Sequence, residues 1–221
     1  MARAGHVKLF LPRSTWYSFF NSPYPAHRLC TAVDAYFESE ALTPVEEGVV
    51  AEIKWFDAPR IRPDAEKLEP LILLKLSGGL VLKVLHVKPS VHVGEKVYAG
   101  DPLGRIVVSG YLYPWSHPHA HFEVRPARDP YRARGALPLD ITPSVERARS
   151  FTPGKTSYKV LEIRDHYAWL APSRRGFSGL SLLGGWVDGG IPHYGYAAVL
   201  AARKLPETLP TEPLPLSLIH I

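Results

Sequence analysis

The sequence predicts an all-β protein, and three observations predict it. Twenty-two prolines and seventeen glycines are spread along 221 residues without forming a repeat, which breaks the chain into short segments and leaves little room for long helices. Between the breaks, apolar residues alternate with polar ones or run in short blocks, the pattern of strands half or wholly buried in a sheet. The 46% hydrophobic fraction is that of a globular chain, and the length is sufficient for a real core.

Taken in order, residues 1–26 mix aromatics with prolines and predict an irregular leader, with one strand around "HVKLFLP". Strand-like runs follow at 30–37, at "GVVAEIKWF" (48–56), at "LILLKL" (71–76) and at "LVLKVLHV" (80–87), with Gly78 and Gly79 marking a turn between the last two. The charged, proline-containing stretch 57–70 predicts an inserted loop or hairpin extension. In "VHVGEKVYAGDPLGRIVVSG" glycines at 94, 100, 104 and 110 separate short alternating runs, the texture of small β-sandwiches and barrels. "DPYRARGALPLDITPSVERARS" reads as a polar connection, and 141–205 as a small additional β-rich C-terminal region. Residues 206–215 have the composition of a Pro-rich linker. The final "LSLIHI", 216–221, is the translation of a transposon-end sequencing adapter and is excluded from fold reasoning.

Composition excludes several classes of function. The excess of 26 Lys and Arg over 21 Asp and Glu gives +5, a weak bias toward anionic partners. The densest basic stretch, "RPARDPYRARG" at 125–135, predicts a solvated loop. No basic and aromatic pattern matches a nucleic-acid module. A single cysteine, Cys30, rules out an intrachain disulfide and a cysteine-based zinc cluster. Glutamine is absent, and Asn21 and Met1 are the only residues of their types, a depletion expected of a thermophile. Nowhere do 18 apolar residues occur together, and the N-terminal stretch lacks a signal-peptide pattern, so the sequence as it stands predicts a soluble, cytoplasmic protein with no membrane span and leaves its oligomeric state open.

One stretch carries chemistry. In "SHPHAHFEVRP", 116–126, strand alternation puts His117, His119, His121, Glu123 and Arg125 on one face and Pro118, Ala120, Phe122 and Val124 on the other. Same-face neighbours stand roughly 6–7 Å apart, so one can hold a metal while another reaches a substrate. Glu123 is either a partner that orients a histidine or half of an exposed ion pair with Arg125.

Four blocks, in order, resemble the lysostaphin-type (LytM-like) zinc metallopeptidases. They are "HRLCTAVDAYF", "TPVEEGVV", "LHVKPSVHVGEKVYAGDPLGRI" and the histidine stretch, which is similar to the family's "HLHFE" strand; together they span roughly residues 26–126. The resemblance implies a two-layer β-sandwich of duplicated hairpins, barrel-sandwich-hybrid-like, over 27–140. It implies His27, Asp34 and His121 as ligands of one zinc per chain, with His86 and His119 as the catalytic pair, and a peptide or peptidoglycan-like substrate. Such a ligand set suits zinc, with a fourth position left for water; zinc lowers the pKa of its water toward about 7 and polarises a carbonyl. Imidazoles at 86 and 119 suit proton transfer and oxyanion stabilisation, and the roles of the two stay open. His27 and Asp34 are further apart in sequence than is usual in that family, and "YLYPWSHP" stands where glycine-rich residues usually precede the final motif, so substrate specificity does not carry over. The expected function is a zinc metalloendopeptidase; the alternative is a catalytically silent binding module that keeps the fold. His92, His117, His166 and His193 match no functional position.

Overall fold

The structure is a computed structural model that describes residues 1–150, 158–163, 168–172, 181–182, 185–189 and 197–201. It divides into two compact units, one formed by Met1–Phe19 with Tyr24–Ile141, the other by Phe20–Pro23 with Thr142–Ile221. The linker expected at 206–215, the adapter translation expected at 216–221, His166 and His193 lie outside the described residues.

The first unit contains strands β1 (Ala2–Ala4), β2 (Val7–Leu9) and β3 (Trp16–Ser18), the one-turn helix α1 (Pro25–Arg28), then β4 (Val33–Tyr36), β5 (Glu40–Leu42), β6 (Glu47–Asp57), β7 (Leu68–Lys75), β8 (Leu80–Leu85), β9 (Val87–Pro89), β10 (Lys96–Tyr98), β11 (Pro102–Ile106) and β12 (Ala120–Pro126). Seven strands form one antiparallel sheet in the order β10-β6-β7-β8-β12-β4-β3, and three more a second sheet in the order β5-β11-β9. The chain passes repeatedly from one sheet to the other. The all-β fold class expected from the sequence is what the structure shows.

The continuous apolar run of β7 is explained by its place in mid-sheet. Ile72 and Leu74 point to one face and pack with the row of Leu82, Val84, Phe122 and Val124, all fully buried. Leu71 and Leu73 point to the other and form a second cluster with Val81, Leu85 and Phe56. A strand covered on both sides cannot show the alternation of a half-exposed one. At the β7–β8 turn, Gly78 and Gly79 take φ of 66° and 70°, left-handed conformations that cost glycine little.

Several elements differ from expectation. Residues 1–26 contain three strands and α1, because alternate residues such as Ala2, Ala4, Val7 and Leu9 are buried in short pairings that the scattered prolines hide. The 57–70 stretch loses its last residues to β7, where Glu69 is fully buried. The histidine strand begins only at Ala120: Pro118 cannot donate to a ladder, and β12 is paired on both edges. The polar connection holds a helix of the second unit, α2 (Thr142–Arg149).

That second unit also contains β13 (Tyr158–Ile163) paired with β14 (Ala168–Pro172), and β15 (Ser181–Leu182), β16 (Gly185–Gly189) and β17 (Ala197–Leu200) as a three-stranded sheet. Within it the Trp186 indole donates to the Ala148 carbonyl at 3.0 Å, and Ala148, Trp186 and Ala201 form a small core.

One glycine is set by a close approach. Gly104, at φ 145°, lies where a β-carbon would stand 2.0 Å from the Lys88 carbonyl oxygen of the adjoining strand. Gly94 has φ 91° with open space beside it. In denaturant unfolding, Gly94→Ala should cost about 1–2 kcal/mol, the backbone strain alone. Gly104→Ala should cost about 3 kcal/mol or more, because β9 and β11 must separate to admit the methyl group.

Candidate metal centre

Sheet register brings the first two residues of the site together. In the β4–β12 ladder Asp34 stands opposite His121, and in the β12–β8 ladder His121 stands opposite Leu85, so all three share one face. His27 arrives from α1. Pro25 starts that single turn, Cys30 follows at φ 51°, and both the Thr31 amide and hydroxyl donate back to the Ala26 carbonyl, at 2.7 and 3.0 Å. His86 closes β8. Strict alternation would send it to the opposite face from Leu85, but its φ of 65° turns the backbone, and its ring centroid lies 6.0 Å from that of His121 and 5.3 Å from that of His119.

The structure therefore gathers all five expected residues, and all are buried. Ligand atoms of His27, Asp34 and His121 lie within 4.8 Å of one another. His27 Nε2 is 3.2 Å from Asp34 Oδ2 and 3.2 Å from His121 Nδ1; His121 Nδ1 is 2.7 Å from Asp34 Oδ1. His119 Nε2 approaches Asp34 Oδ2 at 3.0 Å.

The outer ring nitrogens define what these atoms are. His27 Nδ1 faces the Phe19 carbonyl at 2.9 Å, and a carbonyl only accepts, so Nδ1 carries the hydrogen and Nε2 the lone pair. His121 Nε2 faces Glu123 Oε1 at 3.1 Å, so it donates there and leaves Nδ1 as the lone pair. Two imidazole lone pairs and a carboxylate thus converge on one point. Three acceptors so close repel one another unless a proton, as on His121 Nδ1 toward Asp34 in the chelated chain, or a metal cation lies between them. Donors held about 2.0–2.1 Å from zinc in a tetrahedron stand about 3.3 Å apart, close to two of the three separations above, so the donor set fits zinc.

A family profile described as "Domain of unknown function (DUF8155) N-terminal domain" matches residues 7–141. The chain belongs to this family. The matched span contains every residue of the cluster. No curated protein matches the chain. Among solved structures, the DUF8155 chain is similar to the catalytic domain of the prophage-encoded M23 protein EnpA from Enterococcus faecalis, at 17% identity and a TM-score of 0.41, over 59% of this chain and 92% of that one. It is similar to lysostaphin from Staphylococcus simulans at 22% identity and a TM-score of 0.37, over 60% of this chain and 48% of that one. A zinc-containing peptidase from Vibrio cholerae is similar at 19% identity and a TM-score of 0.40, over 62% and 41% respectively.

Around the DUF8155 cluster lie charged residues that sequence reasoning missed or misplaced. Of its two readings Glu123 is the histidine partner and not half of an exposed pair: its Oε1 receives Lys83 Nζ at 3.0 Å as well as His121, and its Oε2 receives Arg125 at 2.6 Å. Arg125 is wholly buried, so it does not join the solvated basic loop; it also donates to the Asp129 and Arg134 carbonyls at 2.9 and 2.7 Å. A lone lysine in the middle of "LVLKVL" was the available signal for Lys83. His86 is held by Glu69, whose Oε1 accepts from both its backbone amide and Nδ1, at 2.7 and 2.8 Å, and whose Oε2 accepts from the Ser109 hydroxyl. Glu69 shares its face with Leu71 and Leu73, which alternation could have shown; nothing in the sequence marks Ser109. His117 is exposed, yet its carbonyl accepts from His119 Nδ1 at 2.7 Å and its ring stacks on Tyr36.

Electrostatics follow burial and partners. Burial raises the Asp34 pKa, but His119, His27 and His121 outweigh it and hold the carboxyl well below its usual range. Burial disfavours a charged His121, yet Asp34 and Glu123 push its pKa up to about 9. Burial likewise opposes ionisation of Glu123, but His121 and Lys83 bring it down to about 2. Desolvation lowers His86 despite the opposing charge of Glu69.

Two outcomes are expected of chelated protein. Because His121 binds its proton more tightly folded than unfolded, its contribution to stability is fully present below pH 6.5 and is lost as pH rises through about 9; urea midpoints between pH 6 and 10 should fall, and should fall less in His121→Phe. Arg125→Met should cost about 3–5 kcal/mol, because the buried Glu123 loses a cation and two loop carbonyls lose their donor.

Proposed function

We propose that this chain is a zinc-dependent metalloendopeptidase. The observation that carries the reading is the convergence of His27 Nε2, Asp34 and His121 Nδ1, each imidazole turned by its outer partner to aim a lone pair inward. A zinc held there supplies Lewis acidity toward a carbonyl and a water more acidic than bulk.

The chain's own residues supply the rest. Phe19 and Glu123 fix the tautomers and ring orientations of the two histidine ligands, as partners of metal-bound histidines do. Lys83 and Arg125 satisfy Glu123, so it stays an acceptor. His86 and His119 flank the cluster with imidazole edges, groups able to move a proton near neutral pH and to donate to an oxyanion. The tyrosine of β4, Tyr36, packs edge-on to His119 at 5.3 Å between ring centroids and limits water around it. The substrate is a peptide bond; cross-bridges of a peptidoglycan-like polymer are the proposed class, from the lysostaphin-type sequence blocks.

Purified protein should bind about one zinc per chain, counted by mass spectrometry of the metal. The metal should be lost in His27→Ala, Asp34→Ala and His121→Ala and kept in His117→Ala. Hydrolysis of a peptide panel containing Gly–Gly and D-amino-acid bonds should fall at least about 100-fold in His86→Asn and His119→Asn with zinc retained. A folded preparation that binds no zinc would sink the reading; zinc without hydrolysis of any substrate would mark a silent binding module.

A further inference from the structure

Glu69 is not required by any of the sequence blocks, yet it uses both carboxylate oxygens on the residues around His86. One oxygen accepts two hydrogens from His86, at its backbone amide and at Nδ1; the other accepts from Ser109, whose Oγ itself accepts from the Tyr111 amide at 3.2 Å. Glu69, His86 and Ser109 are 0%, 6% and 1% exposed, so water does not compete for these bonds. A carboxylate in this position accepts only. The hydrogen on the neutral His86 ring is therefore at Nδ1, and Nε2 carries the lone pair.

The two flanking histidines differ in consequence. His119 has both nitrogens engaged, Nδ1 with the His117 carbonyl and Nε2 with Asp34. His86 Nε2 has no hydrogen-bond partner among the described residues, and its ring lies beside both His119 and His121. Three features would be needless in a histidine that merely filled space: a buried carboxylate, a left-handed backbone that re-aims the ring, and a bare nitrogen on the site side.

We propose that Glu69 is a positioning residue that holds His86 in its Nδ1–H tautomer, and that His86, not His119, is the general base of the proposed hydrolysis. The inference rests on the peptidase reading for its second half alone; the tautomer stands independently. In the step, His86 Nε2 takes one proton from water as the water oxygen bonds to the peptide carbonyl carbon. The same proton passes to the amide nitrogen as the C–N bond breaks, so His86 ends neutral, with Nδ1–H kept on Glu69 throughout. This is the orienting part a carboxylate plays beside a catalytic histidine.

The test uses the full chain with 15N-labelled histidine and long-range 1H–15N spectra at pH 8, beside steady-state kinetics. The wild type should show His86 with hydrogen on Nδ1 and a bare Nε2. Glu69→Leu should move at least half of His86 to the Nε2–H form. Glu69→Gln retains an acceptor oxygen but no charge, so it should keep the tautomer, lower kcat about 10- to 100-fold with KM and zinc content unchanged, and move the acid limb of the kcat profile to lower pH, because an uncharged partner no longer supports the imidazolium. Wild-type His86 in the Nε2–H form, or a folded Glu69→Leu with an unchanged tautomer, overturns the positioning role. Should Glu69→Leu not fold, an unmoved acid limb in Glu69→Gln overturns it. If no peptide is hydrolysed, the base assignment falls with the peptidase reading, while the spectra still decide what Glu69 does.

Discussion

A carboxylate with about 1% of its surface exposed, set against three imidazoles, is tolerable inside a protein only if positive charge is shared with it. Asp34 is such a group, and the arrangement around it follows. His121 is delivered by strand register, His27 by a one-turn helix, His119 by the segment just before β12. A one-residue slip of β12 against β4 would turn His121 to the other face and take one of its three imidazoles from the carboxylate, because such a slip exchanges the faces of a strand. The sheet is thereby locked to the site as firmly as the site is to the sheet.

Along β12 the charged residues continue beyond this cluster, beside the Leu71, Leu73 and Val81 hydrocarbon of the neighbouring strands. Glu123 stands opposite Lys83 across the β12–β8 ladder and Arg125 stands two residues further along the same face. Acid and base thus alternate in a layer one side chain deep. Removing one member would leave another buried and uncompensated, whereas the complete set is closed. That explains why the solvated loop expected at 125–135 begins with a residue that is not solvated: Arg125 faces inward to bind Glu123 and ties down the following loop by its carbonyls.

Much of this was legible because it depends on local pattern. Alternation placed His121, Glu123 and Arg125 on one face, and glycine punctuation gave the turns between 78 and 104. Proline and glycine content together with strand-type alternation gave the all-β class. What was not legible depends on non-local geometry or on burial of polar groups. Alternation puts Glu69 on the face of Leu71 and Leu73, but it sits after a charged stretch and before a proline, a context that reads as loop, and its contact with His86 is visible only in the folded chain. The strands of residues 1–18 are only three residues each, too short to stand out in a periodicity count. They exist through partners that sequence neighbours do not reveal, such as the β3–β4 ladder.

The backbone at His86 carries one more consequence. A φ of 65° is a conformation that asparagine, aspartate and histidine visit several-fold more often than other residues with a β-carbon, and that β-branched side chains scarcely accept. The corner therefore screens its occupant by conformation before chemistry is considered. Among the few residue types that the backbone admits readily, only histidine can hold a hydrogen toward Glu69 on one side of its ring while presenting a lone pair on the other. Drift at this position is narrowed from two directions at once, and a chain that lost the site's chemistry would still find few residues to put there.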